Sequence, residues 1–126
     1  QLLSYDEILV LGGDYNVAPD KIDVYDPKSL AGGICFHMDE RKKFRALLNL
    51  GLLDAFRAQH PKRQQFTWWD YRAGAYNNNK GLRIDHLLLS PQAVDLVNNV
   101  IVDQEPRGWQ KPSDHTPILV ELAIKS

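Results

Sequence analysis

The sequence predicts an α+β domain in which a sheet is covered by helices on one face. Short apolar and β-branched runs, typical of strands, alternate with segments whose apolar residues recur every three or four positions, as in helices. The chain has 126 residues, 44% hydrophobic and 25% charged, which suffices for one globular domain with a buried core. The expected domain therefore spans residues 1–126.

The first half of the chain is predicted to form a strand, a loop and a helix. The run Glu7–Leu11 ends in two glycines, which predicts a buried strand that closes in a tight turn. Repeated prolines and glycines predict an ordered loop over 18–34 without regular structure. Asp39 is expected to open a helix that Gly51 ends, with one apolar face formed by Phe44, Leu47 and Leu48.

The second half is predicted to contain three strands, a further apolar run and a short helix. Aromatic, β-branched or alternating residues predict the strands, and Ser90 is the expected cap of the helix that starts at Pro91. The strands are Phe66–Trp69, Arg83–Leu89 and Thr116–Leu122, and the additional run is Val100–Val102.

Composition excludes several classes of protein. With one cysteine, Cys35, no internal disulfide can form, which excludes a disulfide scaffold and is typical of the cytosol. The first residues lack a basic segment followed by an apolar one, and no apolar run approaches membrane-spanning length. We therefore expect a soluble, cytoplasmic protein without a membrane partner. The net charge of −1 allows a nucleic-acid site only as a local basic rim.

Asp14 and Asn16 follow the first strand, where they form either a simple turn or a functional pair. Glycine, aspartate and asparagine all tolerate tight turns, which favours the turn when the segment is considered alone. If residues two apart project the same way, Asp14 offers an acid–base group beside the amide of Asn16. Such a pair is suited to chemistry on a phosphate and a water.

Asp85, Asp114 and His115 form the second candidate group. Asp85 lies in an otherwise apolar strand, where a buried carboxylate needs a partner. That partner is either Arg83 or Arg72, in a structural ion pair, or the imidazole of His115. His86 points to the opposite face and is expected to be packed or exposed. The Asp114-His115 dipeptide is either a capped turn or a metal-facing carboxylate beside a phosphate-binding imidazole.

Aromatic and basic residues between these motifs suggest a nucleic-acid groove. Trp68 and Trp69 face opposite sides of a strand, so only one can line a cavity and the other belongs to the core. Basic side chains next to aromatic rings suit phosphate contacts and stacking, although solvated surface charge is the simpler interpretation. The basic side chains around these motifs are Arg72, Lys80, Arg83, Arg107 and Lys111, and the aromatic ones among them are Tyr71, Tyr76 and Trp109.

Four segments, taken in order, resemble the motifs of exonuclease III-like abasic-site endonucleases of the endonuclease/exonuclease/phosphatase superfamily. The first and last are shared across that superfamily and indicate phosphoester hydrolysis, while the two middle segments resemble its DNA-repair branch. The segments are Gly13-Asp14-Tyr15-Asn16, Phe66-Thr67-Trp68-Trp69-Asp70-Tyr71-Arg72, Gly81-Leu82-Arg83-Ile84-Asp85 and Lys111-Pro112-Ser113-Asp114-His115.

The resemblance implies an Mg²⁺-dependent hydrolase, with Mn²⁺ as the alternative ion, that cleaves 5′ to abasic sites in double-stranded DNA and trims 3′ ends. It implies that Asp14 is the general acid–base, that Asn16 binds the water or phosphate, and that Asp85 orients a phosphate-contacting His115. Asp114 would face the metal. The implied DNA contacts are Trp68, Leu82 and Ile84, which match a pocket for the base-less sugar, and Arg72, Tyr76, Lys80 and Arg83.

The resemblance also implies that the chain is the C-terminal half of a larger domain. Such enzymes pack two similar halves into a four-layer α/β/β/α sandwich, so this chain would supply one mixed sheet with helices on one face. We expect the uncovered face to bind the N-terminal half or a second copy, and the chain alone to be inactive or nearly so. The alternatives are a superfamily phosphatase acting on a lipid or small phosphoester, and a non-catalytic interaction module.

Overall fold

The computed structural model describes residues 8–33, 35–70, 74–104 and 114–123. Strands and short helices alternate along the chain, as the sequence predicts. In chain order the elements are β1 (Val10–Asp14), a 3-10 helix (Lys21–Asp23), α1 (Pro27–Leu30), α2 (Met38–Asn49), β2 (Leu53–Asp54), α3 (Ala55–Gln59), β3 (Trp68–Trp69), β4 (Gly81–Leu82), β5 (Asp85–Leu89), α4 (Pro91–Val94), β6 (Val97–Val102) and β7 (Ile118–Leu122).

The segment predicted as a loop without regular structure contains the 3-10 helix and α1, so that prediction is wrong. Each of these helices begins at an aspartate whose carboxylate accepts a backbone hydrogen bond. Asp20 accepts from the Lys21 amide and forms a capping box with Asp23, and Asp26 accepts from the Ser29 amide. Local capping therefore builds helical turns inside a stretch rich in helix breakers.

The helix predicted from Asp39 is confirmed as α2. It begins one residue earlier, because His37 is the N-cap and its Nδ1 accepts a hydrogen bond from the Asp39 amide. Gly51 follows with a φ of 106°, a left-handed conformation that favours glycine and ends the helix. Ser90 likewise caps α4, as predicted.

All ladder pairs among the described residues are antiparallel and belong to three small sheets, with strand orders β1-β5-β2, β3-β4 and β6-β7. The prediction of one mixed sheet is therefore wrong for this part of the chain. The strand predicted over Arg83–Leu89 is found as β5, which begins two residues later, at Asp85. Leu82 pairs with Trp68 of β3, whereas Asp85 pairs with Asp14 of β1. This change of partner places Asp14 directly opposite Asp85.

β5 contributes to hydrophobic clusters on both of its faces. Leu88 packs with a cluster that contains Phe44 of α2, whereas Leu89 packs with Phe56 of α3 and Ala93 of α4. Successive strand residues face opposite sides. Helical residues therefore lie on both faces of β5, which differs from the predicted cover on one face only.

Several large apolar side chains remain exposed on the strands. Val10 and Leu53 lie on either side of Leu89 in the sheet, and Ile101 and Leu119 are direct cross-strand partners. Each of β1, β2, β6 and β7 thus carries an exposed apolar side chain. No helix within the described segments is long and apolar enough to cross a membrane, and α2, the longest of them, has 12 residues.

Candidate active site

Asp14, Asp85 and His115 meet where β1 and β5 pair. His115 reaches them through an isolated bridge to Trp68 of β3. Its Nδ1 lies 2.9 Å from Asp85 Oδ2, and its Nε2 lies 3.6 Å from Asp14 Oδ2. The structure thus pairs Asp85 with His115, whereas Arg83 bonds two other aspartates.

The carboxylates around His115 determine which ring nitrogen carries the proton and raise the pKa of the imidazole. The ionised Asp85 only accepts hydrogen bonds, so Nδ1 of His115 carries the proton and Nε2 faces Asp14. Burial opposes the charged imidazolium, but the hydrogen bond to Asp85 and the nearby carboxylates outweigh it and raise the pKa of His115. Burial also raises the pKa of Asp85, and the hydrogen bond from His115 only partly offsets this.

A left-handed turn places Asn16 beside Asp14. Asn16 has a φ of 52°, which asparagine tolerates, and its amide donates a 2.8 Å hydrogen bond to Asp14 Oδ1. Asn16 also lines the cleft that opens beside these residues. The two predicted residues therefore lie close together, although a turn brings them together and not the alternation of a strand.

Trp68 holds Asp114 near Nε2 of His115, the ring nitrogen that does not bond Asp85. The indole N–H of Trp68 donates to Asp114 Oδ2 at 3.1 Å, and the Trp69 amide donates to the Asp114 carbonyl oxygen at 3.1 Å. Asp114 Oδ1 then lies 3.8 Å from Nε2 of His115. Asp14 and Asp114 thus face the same imidazole nitrogen, and both are partly exposed.

A cleft of about 1010 Å³ opens beside this cluster. Three residues predicted for the sugar pocket line it, namely Trp68, Leu82 and Ile84. Three further residues that were not predicted also line it: Tyr25 and Leu30, from the segment predicted as an irregular loop, and Cys35, which directly follows that segment. Burial raises the pKa of the Cys35 thiol to about 11, so this thiol stays protonated and behaves as an apolar group.

The remaining residues expected to contact DNA have different environments. Lys80 is exposed and lines the cleft. Trp69 is fully buried, as expected for one of the two tryptophans, and Tyr76 packs edge-on against it with ring centroids 5.1 Å apart. Arg72 lies outside the described residues.

Arg83 does not contact DNA in this fold, which corrects that prediction. Its side chain is 0% exposed and bonds two aspartates, with Nε 2.7 Å from Asp23 Oδ1 and Nη2 2.7 Å from Asp54 Oδ2. Burial disfavours the guanidinium, but both carboxylates together hold the pKa of Arg83 above its ordinary value. Arg57 also pairs with Asp23. Arg83 is therefore the centre of a buried ion-pair network.

His86 is buried beside this network. Of the two environments predicted for it, packed or exposed, the structure shows the packed one. Its Nε2 lies 2.7 Å from the Val17 carbonyl oxygen, and its Nδ1 lies 3.2 Å from Arg83 Nη1. A carbonyl only accepts and a guanidinium only donates, which selects the neutral Nε2–H tautomer. Burial, together with the charge of Arg83, lowers the pKa of His86 to about 4.

We expect the free energy of unfolding to decrease as pH falls from 6.5 to about 4. Over this range His86 binds a proton in the unfolded chain but stays neutral in the folded one. The difference between these two pKa values corresponds to about 3 kcal/mol. His86→Gln can keep both hydrogen bonds without titrating, so its unfolding free energy should decrease less over this range. Urea unfolding at pH 7, 5.5 and 4 measures both slopes. Identical slopes would contradict the assignment.

Comparison with known families identifies the fold. Residues 2–115 match the Endonuclease/Exonuclease/phosphatase family. The chain belongs to this family. Its Asp14, Asp85 and His115 all lie within the matched range.

Curated relatives of the chain are nucleases by name. The chain is 35% identical to exodeoxyribonuclease III of Haemophilus influenzae over 121 residues, which cover 90% of this chain and 45% of that protein. It is 36% identical to an exodeoxyribonuclease of Bacillus subtilis, over 92% of this chain and 44% of that one. The chain thus spans somewhat less than half the length of these relatives.

Solved structures share the same fold. A Neisseria 3′ phosphatase, NExo, bound to a product DNA hairpin superposes with a TM-score of 0.94 at 40% identity, covering 98% of this chain and 48% of that one. An AP endonuclease from Archaeoglobus fulgidus gives a TM-score of 0.90 at 35% identity, over 98% and 49% of the two chains.

Proposed function

We propose that the chain is the part of a DNA-repair phosphodiesterase that supplies its acid–base group and sugar pocket, cleaving DNA 5′ to abasic sites and trimming 3′ ends. The observation that carries this proposal is the His115 imidazole, held by Asp85 and faced by Asp14 and Asp114, beside a partly apolar cleft. The names of the relatives support DNA as the substrate.

Each polar residue has a distinct task in this reaction. Asp14 acts as general base toward the attacking water, or as general acid toward the leaving 3′ oxygen. Asn16 lines the cleft and binds the water or phosphate. His115, whose carboxylate neighbours raise its pKa and so favour its cationic form, contacts a phosphate oxygen and stabilises the charge that develops there.

Asp114 suits a hard divalent cation such as Mg²⁺, or alternatively Mn²⁺. Mg²⁺ sites commonly use one or two carboxylates, with waters and substrate phosphates as the other ligands. One oxygen of Asp114 is held by Trp68, and the second lies 3.8 Å from Nε2 of His115, which the carboxylate of Asp14 also faces. A bound Mg²⁺ would neutralise charge on the phosphate oxygens.

The apolar side of the cleft suits a flipped sugar without its base. Trp68, Leu82 and Ile84 offer carbon surface, so the polar edge of an intact base would lose its hydrogen bonds to water there. Lys80 lies at the same cleft, where it can contact a phosphate. The proposed partner is therefore double-stranded DNA with an abasic site or a 3′ end.

We further propose that the chain acts as the C-terminal half of a four-layer sandwich. The relatives are about twice as long as the matched region, and a second half could cover the exposed apolar side chains on β1, β2, β6 and β7. A second copy of the chain is the alternative cover. The chain alone is expected to be inactive or nearly so.

The test uses the chain alone and a chimera, in which the chain replaces the matched segment of Haemophilus influenzae exodeoxyribonuclease III. Both are incubated with a duplex containing one abasic site and with p-nitrophenyl phosphate, each with Mg²⁺ and with EDTA. We expect Mg²⁺-dependent incision of the duplex by the chimera. Turnover of the small phosphoester alone would instead identify a phosphatase, and no turnover of either an interaction module.

Trp68→Phe should weaken metal binding while keeping an aromatic ring in the cleft wall. It removes the N–H that orients Asp114, and losing such a contact to a metal ligand typically costs about 10- to 100-fold in affinity. The Mg²⁺ concentration that gives half-maximal incision by the chimera should rise accordingly. Tyr25→Phe, which changes another residue of the same cleft and leaves the bond between Trp68 and Asp114 in place, serves as the control. Equal Mg²⁺ requirements in the three proteins would contradict the prediction.

A further inference from the structure

Thr67 is a polar residue in an otherwise aromatic segment, and it is completely buried. Its side chain is 0% exposed, between Phe66 and Trp68. No role follows from its position in the sequence, because a threonine in a strand-like segment is ordinarily a packing residue. Its hydrogen bonds, however, involve the two segments that supply Asp85 and His115.

The hydroxyl of Thr67 accepts two backbone hydrogen bonds at the point where the chain changes strand partner. Oγ1 lies 3.1 Å from the Ile84 amide and 3.2 Å from the Asp85 amide. Leu82 still pairs with β3 and Asp85 already pairs with β1, so these amides lie between two ladders. A hydroxyl with two lone pairs can satisfy both donors.

The backbone of Thr67 holds the second segment. Its carbonyl oxygen accepts a 2.7 Å hydrogen bond from the amide of Thr116, the residue after His115. Its own amide donates to the Leu82 carbonyl oxygen at 2.9 Å. One residue therefore bonds directly to Asp85 through its side chain and to the neighbour of His115 through its backbone.

We infer that Thr67 is a positioning residue that sets the relative placement of Asp85 and His115 through these hydrogen bonds. This inference rests on the proposed function of the Asp85–His115 pair. A valine at this position keeps the shape but leaves two buried amides without an acceptor, so the backbone at Asp85 must move to satisfy them. Movement of that backbone shifts the carboxylate relative to Nδ1 of His115.

The test compares Thr67→Val with Thr67→Ser, which keeps the hydroxyl. The proton on Nδ1 of His115, bonded to a carboxylate at 2.9 Å, should give a resonance far downfield of the amide protons, identified by its loss in His115→Gln. In the full chain, this resonance should shift or broaden in Thr67→Val and persist in Thr67→Ser. In the chimera, kcat should fall about 10- to 100-fold for the valine variant only, with KM unchanged.

Far-UV circular dichroism first establishes that each variant is folded. If Thr67→Val does not fold, Thr67→Cys replaces it, because its sulfur is only a weak acceptor and the same shift is expected. A folded valine or cysteine variant with an unchanged His115 resonance would overturn the inference, as would equal losses in the serine and valine variants. Failure of the proposed function is recognised separately, by a parent chimera that does not incise DNA while the resonance still responds to Thr67→Val.

Discussion

Asp85→Asn is expected to lower kcat of the chimera on abasic-site DNA by about 10²- to 10³-fold, the usual cost of losing one group that stabilises charge in the transition state. The amide cannot stabilise an imidazolium, and its N–H₂ group turned toward His115 would force Nδ1 to accept. The proton of the imidazole would then lie on Nε2, facing Asp14. His115 would lose both its charge and its orientation toward phosphate.

The same substitution should leave folding stability nearly unchanged. Because burial raises the pKa of Asp85, the fold does not favour the ionised form of this group over the neutral one. An amide of the same shape can therefore replace it at small cost. Single-turnover incision together with urea unfolding separates the two effects, with Glu121→Gln on β7 as an exposed control. A folded Asp85→Asn chimera with the parent kcat would rule out the proposed role.

The sequence marked the members of the polar cluster as candidates without deciding their role. Asp14 ends a strand, Asp85 lies in an apolar one and His115 precedes a third, but a simple turn was the favoured interpretation of the Asp14 segment and remained open for the Asp114-His115 segment. Their meeting point depends on the register of β1 and β5. That register could be inferred only through the family resemblance, since local patterns do not specify which strands pair.

The partners of Arg83 could not be predicted from local sequence. Asp23 and Asp54 lie 60 and 29 positions away, and neither segment shows a pattern that distinguishes a buried carboxylate from an exposed one. The division between β4 and β5 was hidden for a similar reason, because only two residues separate the strands and no turn residue marks the change of partner. By contrast, the 3-10 helix and α1 could have been predicted, because each begins at an aspartate, a residue that favours the N-cap position.

Arg83→Met is expected to reduce the free energy of unfolding by about 3–5 kcal/mol, the usual effect of removing one partner of a buried ion pair. Asp23 retains Arg57 in this variant, whereas the buried carboxylate of Asp54 loses its bidentate partner. Urea unfolding measures the change, and Arg45→Met on the exposed side of α2 is the matched control, expected to stay within about 0.5 kcal/mol of the parent.

A second substitution distinguishes an ion-pair network from a packing effect. Asp54→Asn should destabilise the parent chain, because it weakens both hydrogen bonds to Arg83. In the Arg83→Met background it should instead stabilise, since it removes a buried charge that has lost its partner while its side-chain oxygen can still cap α3. The effect of one substitution thus reverses its sign with the residue at position 83. If Asp54→Asn destabilised both backgrounds equally, Arg83 would be stabilising the fold through its volume, and the charges of Asp23 and Asp54 would need another explanation.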